Sequence, residues 1–120
     1  MAELKTVTYD GIMRDLKARK YAPIYYLMGD EPYYIDKIAD YIAENVLADE
    51  EKDFNQTVFF GSDVTAAQIV DAAKRYPMMS ERQVVIVKEA QNIRNLDALD
   101  AYLRNPLTST VLVMCHKNGV

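Results

Sequence analysis

"PIYYLMGDEPYYIDK", Pro23 to Lys37, is the stretch on which the fold turns. Its first six residues are apolar or aromatic and too few for a helix, so they predict a strand covered on both faces. A glycine, two acids and a proline follow, and then Ile35, Ile38, Ala39, Ile42 and Val46 recur at three- and four-residue spacing. That spacing predicts a helix with one apolar face, and Pro32 suits its first turn, where no backbone N–H is needed.

The pattern repeats outward from there. "TVFF" (57–60), "QVVIV" (83–87) and "TVLVMC" (110–115) are three further strands. Between them, Thr8 can cap a helix carrying Ile12, Met13 and Leu16, and Thr65 and Gln68 have capping-box spacing ahead of Ile69, Val70 and Ala73. Asn95 can cap a helix with Leu96, Leu99 and Leu103 that stops before Pro106. The order αβαβαβαβ predicts an α/β fold, a mostly parallel sheet with right-handed crossovers and helices on both faces. Ligands of such sheets gather at the carboxyl ends of the strands. The charged run "ADEEKDF" (48–54) reads as a solvated turn.

No internal repeat or low-complexity linker divides residues 1–120, so they form a single domain. The chain stops at "HKNGV", straight after a strand, which predicts a piece of a longer chain. Fourteen Lys and Arg against eighteen Asp and Glu give a net charge of −4, which argues against tight DNA binding by this domain alone. The cluster "RDLKARK" (14–20) is the solvated face of the first helix. One cysteine excludes an internal disulfide and fits a reducing compartment. Cys115 reads as a buried strand residue, and His116 beside it points to the opposite face, so the two form no catalytic pair. With no run near the ~20 apolar residues of a membrane span and no signal-peptide core, the expected location is the cytoplasm.

The turn after the first strand is where a nucleotide-binding P-loop would sit. Gly29 stands at the first glycine. Counting on, the second glycine, the lysine and the magnesium-holding Ser/Thr fall on Tyr34, Ile35 and Asp36. Tyrosine blocks close backbone approach, isoleucine brings no charge, and Asp30 and Glu31 repel phosphate. After the third strand, where a magnesium site would want paired acids, "VVIVKEA" offers Lys88 and Glu89; one carboxylate is a poor magnesium site. The reading is a degenerate nucleotide site with no cofactor or metal. With a single histidine, no G-x-S-x-G elbow and no acid pair, no catalytic residues are assigned.

"YPMMSERQ" (76–83) raises a different question. Met78 and Met79 are adjacent, so regular structure would send them in different directions, and a thin loop over a sheet edge does not easily bury both. Methionine also suits insertion into a partner's apolar pocket. Composition and spacing alone favour core packing and leave the alternative open.

Taken together, "PIYYLMGDEPYYIDK", "YPMMSERQVVIVKEA" and "LDALDAYLRNPLTSTVLVM" resemble the N-terminal domain of the delta subunit of bacterial DNA polymerase III, a clamp-loader subunit. The resemblance implies an AAA+-like domain without nucleotide binding, the first part of a three-domain chain. It implies that Met78 and Met79 take the places of an apolar pair, often Leu-Phe or Phe-Phe, that inserts into the beta sliding clamp, framed by Pro77, Ser80 and Arg82. It further implies other clamp-loader subunits as partners through the rest of the chain, DNA only within the assembled complex, and no catalysis by this subunit. Two other readings stay open on the residues alone: a nucleotide-dependent ATPase with an irregular phosphate loop, and a receiver-like regulatory module whose acid pocket would need Asp30, Glu31 and Asp63 on neighbouring strands.

Overall fold

The structure, a computed structural model, describes residues 9–29, 32–95 and 97–117. Its elements run α1 (Tyr9–Lys17), β1 (Ile24–Gly29), α2 (Pro32–Asn45), α3 (Asp49–Asn55), β2 (Gln56–Phe60), α4 (Ala66–Ala73), β3 (Gln83–Lys88), α5 (Asp97–Arg104) and β4 (Thr110–Lys117). Single 3₁₀ turns follow β2 at Gly61–Asp63 and β3 at Ala90–Asn92. The four strands form one sheet in the order β1-β4-β3-β2, and every pair is parallel.

Side-chain alternation along the two central strands builds two cores. Val84, Ile86, Val111, Val113 and Cys115 meet Leu16 of α1 and Ile35, Ile38, Ala39 and Ile42 of α2 on one face. Val85, Val87, Leu112 and Met114 meet Ala66, Ile69, Ala72 and Ala73 of α4 and Leu99 and Tyr102 of α5 on the other. This is the three-layer α/β architecture that the alternating elements predict. The basic side chains of 14–20 lie on the exposed face beyond Leu16, as expected.

Four expectations need correction or restriction. The run 48–54 is not a turn: Asp49–Asn55 is a helix. Asp49, Glu50 and Glu51 crowd its first turn, where the helix dipole favours negative charge, and Lys52 lies 3.0 Å from Asp49. Ala48 has no side chain with which to cap, but its N–H donates to the Glu51 carboxylate at 2.8 Å, half of a capping box. Second, only β3 and β4 are covered on both faces. As edge strands, β1 and β2 leave Met28, Val58 and Phe60 exposed.

Third, Asn95 stands two residues before α5. Its backbone is left-handed (φ 58°), its carbonyl accepts from the Ala98 N–H at 3.1 Å, and the helix starts at Asp97. Leu99 and Tyr102 supply the buried stripe. Fourth, Thr8, Leu96, Asp30 and Glu31 lie outside the described residues. The box at α4 forms as expected: Thr65 Oγ1 accepts from the Gln68 N–H at 3.2 Å, and the Thr65 N–H donates to Gln68 Oε1 at 2.8 Å.

Candidate partner-binding site

A parallel sheet has two distinct ends, and the candidate residues divide between them. Gly29, Lys88 and Glu89 stand at the carboxyl ends of β1 and β3. The segment 77–82 leads into the amino end of β3.

At the carboxyl end, the residues counted to a phosphate loop's later positions, Tyr34, Ile35 and Asp36, make other contacts. The Tyr34 ring lies 4.8 Å from that of Tyr9 and 5.3 Å from that of Tyr33. Ile35 is buried in the core against α1 and the sheet. Asp36 binds Lys117 at 2.9 Å, and Lys117 pairs in register with Gly29 across β1 and β4. Lys37 lies 5.7 Å from the centre of the Tyr33 ring. The cleft that remains is lined by Asp36, Asp40, Glu89, Lys88 and Lys117 together with Phe60. Three carboxylates thus face two ammonium groups there, whereas a triphosphate is drawn to positive charge.

Glu89 is held with φ 57°, and a side chain at Gly61 would run into its carbonyl. The two turns after β2 and β3 therefore interlock through a bare glycine. Cys115 is buried beneath the cleft, and burial pushes its thiol up to about 11, so it is no nucleophile. His116 faces the other way, 3.2 Å from the Tyr26 hydroxyl. Because β1 and β2 are opposite edges of the sheet, they are not the neighbouring strands that the receiver-like acid pocket needs. Among the described residues no three His, Cys, Asp or Glu are grouped to hold a metal, and no helix is long and apolar enough to cross a membrane.

At the amino end the arrangement is reversed. Met78 is 60% exposed and Met79 98% exposed, while the backbone beneath them is fastened at several points. The loop's root is fixed by Gln83 and Thr110, both buried. The Gln83 side-chain amide donates to the carbonyls of Ala72 (2.9 Å) and Arg75 (2.8 Å), and the Thr110 hydroxyl donates to Ala73 at 2.7 Å. These bonds satisfy the orphan carbonyls at the end of α4, where a C-terminal glycine is absent.

The tip is fixed by Asn55, the last residue of α3 and only 3% exposed. Its Oδ1 accepts from the Met78 N–H at 2.7 Å, and its Nδ2 donates to the Met78 carbonyl at 2.8 Å and to the Glu51 carbonyl at 3.2 Å. Met79 follows in the left-handed region, φ 56°. At the exit, the Ser80 hydroxyl lies 3.0 Å from the Arg82 carbonyl, and the Arg82 guanidinium sits 5.0 Å from the centre of the Tyr21 ring. Glu51 also meets Ser80. The Ala48 N–H first, and the Ser80 hydroxyl second, hold the Glu51 carboxyl below its ordinary pKa. Pro77 is half-buried beside the tip.

Comparison with known proteins fits this geometry. The profile of the family "DNA polymerase III, delta subunit" matches residues 25–119. The chain belongs to that family. The DNA polymerase III subunit delta of Bacillus subtilis (strain 168) is 31% identical over 86% of this chain and 33% of its own length. The solved DNA clamp loader delta protein of Bacillus subtilis superposes with a TM-score of 0.79 at 29% identity, over 92% of this chain and 36% of that one. A DNA polymerase III gamma subunit-related protein from Thermotoga maritima shares the fold, with a TM-score of 0.57 at 14% identity. This delta-family chain thus spans about a third of the relatives it matches.

Within the delta-family domain, the sequence placed Pro77, Met78, Met79, Ser80 and Arg82 on one loop, and the structure brings them together. It also brings Gly29, Lys88 and Glu89 to one end of the sheet. Sequence reading missed Asn55, which lies 23 residues from its partner, and Gln83, read only as a strand residue. It also missed Lys117, 81 positions from Asp36. The signal available for Asn55 was the helix itself, which the charge pattern of 49–52 could have revealed.

Proposed function

We propose that this domain docks on the beta sliding clamp through Met78 and Met79, framed by Pro77, Ser80 and Arg82, and that the docking favours the open ring. One observation carries the reading: two neighbouring methionines are held in solvent on a backbone that buried polar groups keep in place. Folding gains little from exposing apolar side chains, and a fastened loop that presents them suits insertion into an apolar pocket. Tyr76, two residues before the pair, and Phe54, next to Asn55 in the chain, are also exposed, 80% and 74%.

Burying one such methionine contributes about 1.5–3 kcal/mol. Two supply a large part of the roughly 8 kcal/mol of a micromolar complex. The domain would then need no chemistry of its own: binding energy shifts the ring between closed and open forms, and nucleotide used by other clamp-loader subunits would govern when the loop is available. By the same reading this is the N-terminal domain of a longer, three-domain chain, whose remainder contacts those subunits, with DNA bound only by the assembled complex.

Calorimetric titration of the clamp with Met78→Ser/Met79→Ser tests the reading, with circular dichroism to verify folding. Unchanged affinity in a folded double variant would remove the pair from the interface. The rival, a working ATPase, is tested by magnesium-ATP in a thermal melt. A ligand at a hundred times its dissociation constant stabilises by about 2.7 kcal/mol, whereas the blocked turn predicts no shift.

A further inference from the structure

We propose that Asn55 is the positioning residue of the docking loop: its primary amide sets the backbone of Met78, and through it the direction of both methionines. The proposal rests on the docking reading above and goes beyond it, because Asn55 itself is 3% exposed and cannot touch a partner to any useful extent.

The chemistry of the clasp is selective. The Asn55 side chain presents an acceptor to the Met78 N–H at 2.7 Å and a donor to the Met78 carbonyl at 2.8 Å, so one residue of the loop is gripped on both sides, as a neighbouring strand would grip it. A second hydrogen of the same NH₂ goes to the Glu51 carbonyl at 3.2 Å, which fixes the orientation of the amide from within α3. Aspartate has the acceptor but no donor, serine has a single oxygen, and leucine has neither. The length and the chemistry are therefore both those of asparagine.

Its position explains why α3 exists where a plain turn would have joined α2 to β2. The helix puts Asn55 at its last residue, under the loop, and Glu51 one turn earlier, where the carboxylate meets Ser80 on the loop's far side. Two contacts from one short helix bracket Met79. A residue other than glycine at φ 56° occupies a sparsely populated conformation, which persists only where the surroundings impose it. The residue before it is the one that Asn55 holds. A tip left to itself would sample other backbone states, and the apparent affinity of a site falls by the fraction of time spent in the competent state. If releasing the clasp leaves that state one-tenth populated, clamp affinity falls about tenfold.

The experiment is a cycle of clamp titrations on the full delta chain with Asn55→Ala, Met78→Ser/Met79→Ser and all three together, and amide exchange at Met78 and Met79 read in parallel. The expected result is a loss of about tenfold for Asn55→Ala, faster exchange at the two methionines, and a much smaller further loss when Asn55→Ala is added to Met78→Ser/Met79→Ser. Unchanged affinity for a folded Asn55→Ala variant overturns the proposal, and so does an equal loss in both backgrounds, which would mean that Asn55 acts elsewhere. Should Asn55→Ala fail to fold, Asn55→Asp keeps size and acceptor, loses the donor, and is expected to show the same loss and the same cycle. If Met79→Ser and Met78→Ser bind the clamp as the unaltered chain does, the docking reading itself is wrong, an outcome separate from failure at Asn55 alone.

Discussion

The two ends of the sheet handle the same materials in opposite ways. At the carboxyl end, charges are matched against one another, as in Asp36 with Lys117; Ile35 and Cys115 lie in the core, and Met28 and Phe60 are only about half exposed. At the amino end, the backbone's polar groups are matched by Asn55, Gln83 and Thr110, and the apolar side chains of Met78 and Met79 are put out into water. A surface that satisfies its own charges has little left for a ligand. A surface that satisfies its backbone and exposes its apolar atoms keeps its binding capacity for a partner. The end where ligands of a parallel sheet usually gather thus carries paired charges in this chain, and the opposite end carries the exposed methionines.

The sharpest way to break the comparison is to remove its exposed half. Met78→Ser/Met79→Ser is expected to lower clamp affinity by about a hundredfold or more, since two buried methionines contribute about 3 kcal/mol at the least. The melting temperature should stay within a degree or two, because neither side chain is packed in the free domain. A comparable loss of stability would instead mean that the loop belongs to the core.

The opposite attack is on the end with the paired charges. Ile35→Lys restores the phosphate-loop lysine at its counted position, yet Ile35 is 5% exposed among Leu27, Ile38 and Val113. Removing it from the core and inserting a charge is expected to cost about 3 kcal/mol or more, read by denaturant unfolding, with no gain of ATP binding. A stable Ile35→Lys domain that binds magnesium-ATP would show that one substitution, rather than the whole turn, closes the site. Gly61→Ala probes the same end at the interlocked turns. The new methyl meets the Glu89 carbonyl, a backbone atom that cannot step aside cheaply, so a loss of about 1–3 kcal/mol is expected in a thermal melt, with clamp binding retained.

What the sequence made legible, and what it hid, follows the same division. The four strands were readable because a strand in a parallel sheet is a short apolar run, a local property. The departures from a phosphate loop were readable because such a loop works by residue identity at counted positions, and Tyr34, Ile35 and Asp36 are wrong at theirs. Edge positions were not readable, since Val58 and Phe60 are as apolar as the residues of β3 and only strand order exposes them. Helix α3 was missed because no apolar face marks it: it is built from the dipole, a half capping box and one i,i+3 ion pair. The loop's exposure stayed open for a related reason. What holds Met78 is an asparagine 23 residues away, and no local pattern encodes that.

The smallest expected effect concerns how firmly the presented half is held, and it is a matter of pH. The Glu51 carboxyl is kept below its ordinary pKa of 4.5 by the Ala48 N–H and then by the Ser80 hydroxyl, both of which favour the ionised form. A carboxyl depressed in the folded state contributes stability that is present above its ordinary pKa and is lost as the pH falls through the folded value. The cleft beside it is lined by Arg19, Glu81 and Arg82. Lowering the pH from 6 to below 4.5 should therefore loosen the start of α3 and the Ser80 side of the loop, seen as lower protection of the Glu51 and Ser80 amides, after correction for the pH dependence of intrinsic exchange, while the protection of β3 and β4 is unchanged. Glu51→Gln keeps an acceptor for the Ala48 N–H but cannot titrate, and is expected to flatten that pH dependence. If protection at Ser80 in the Glu51→Gln variant still falls steeply in acid, Glu51 does not govern the loop's exit, and α3 grips the methionine segment through Asn55 alone.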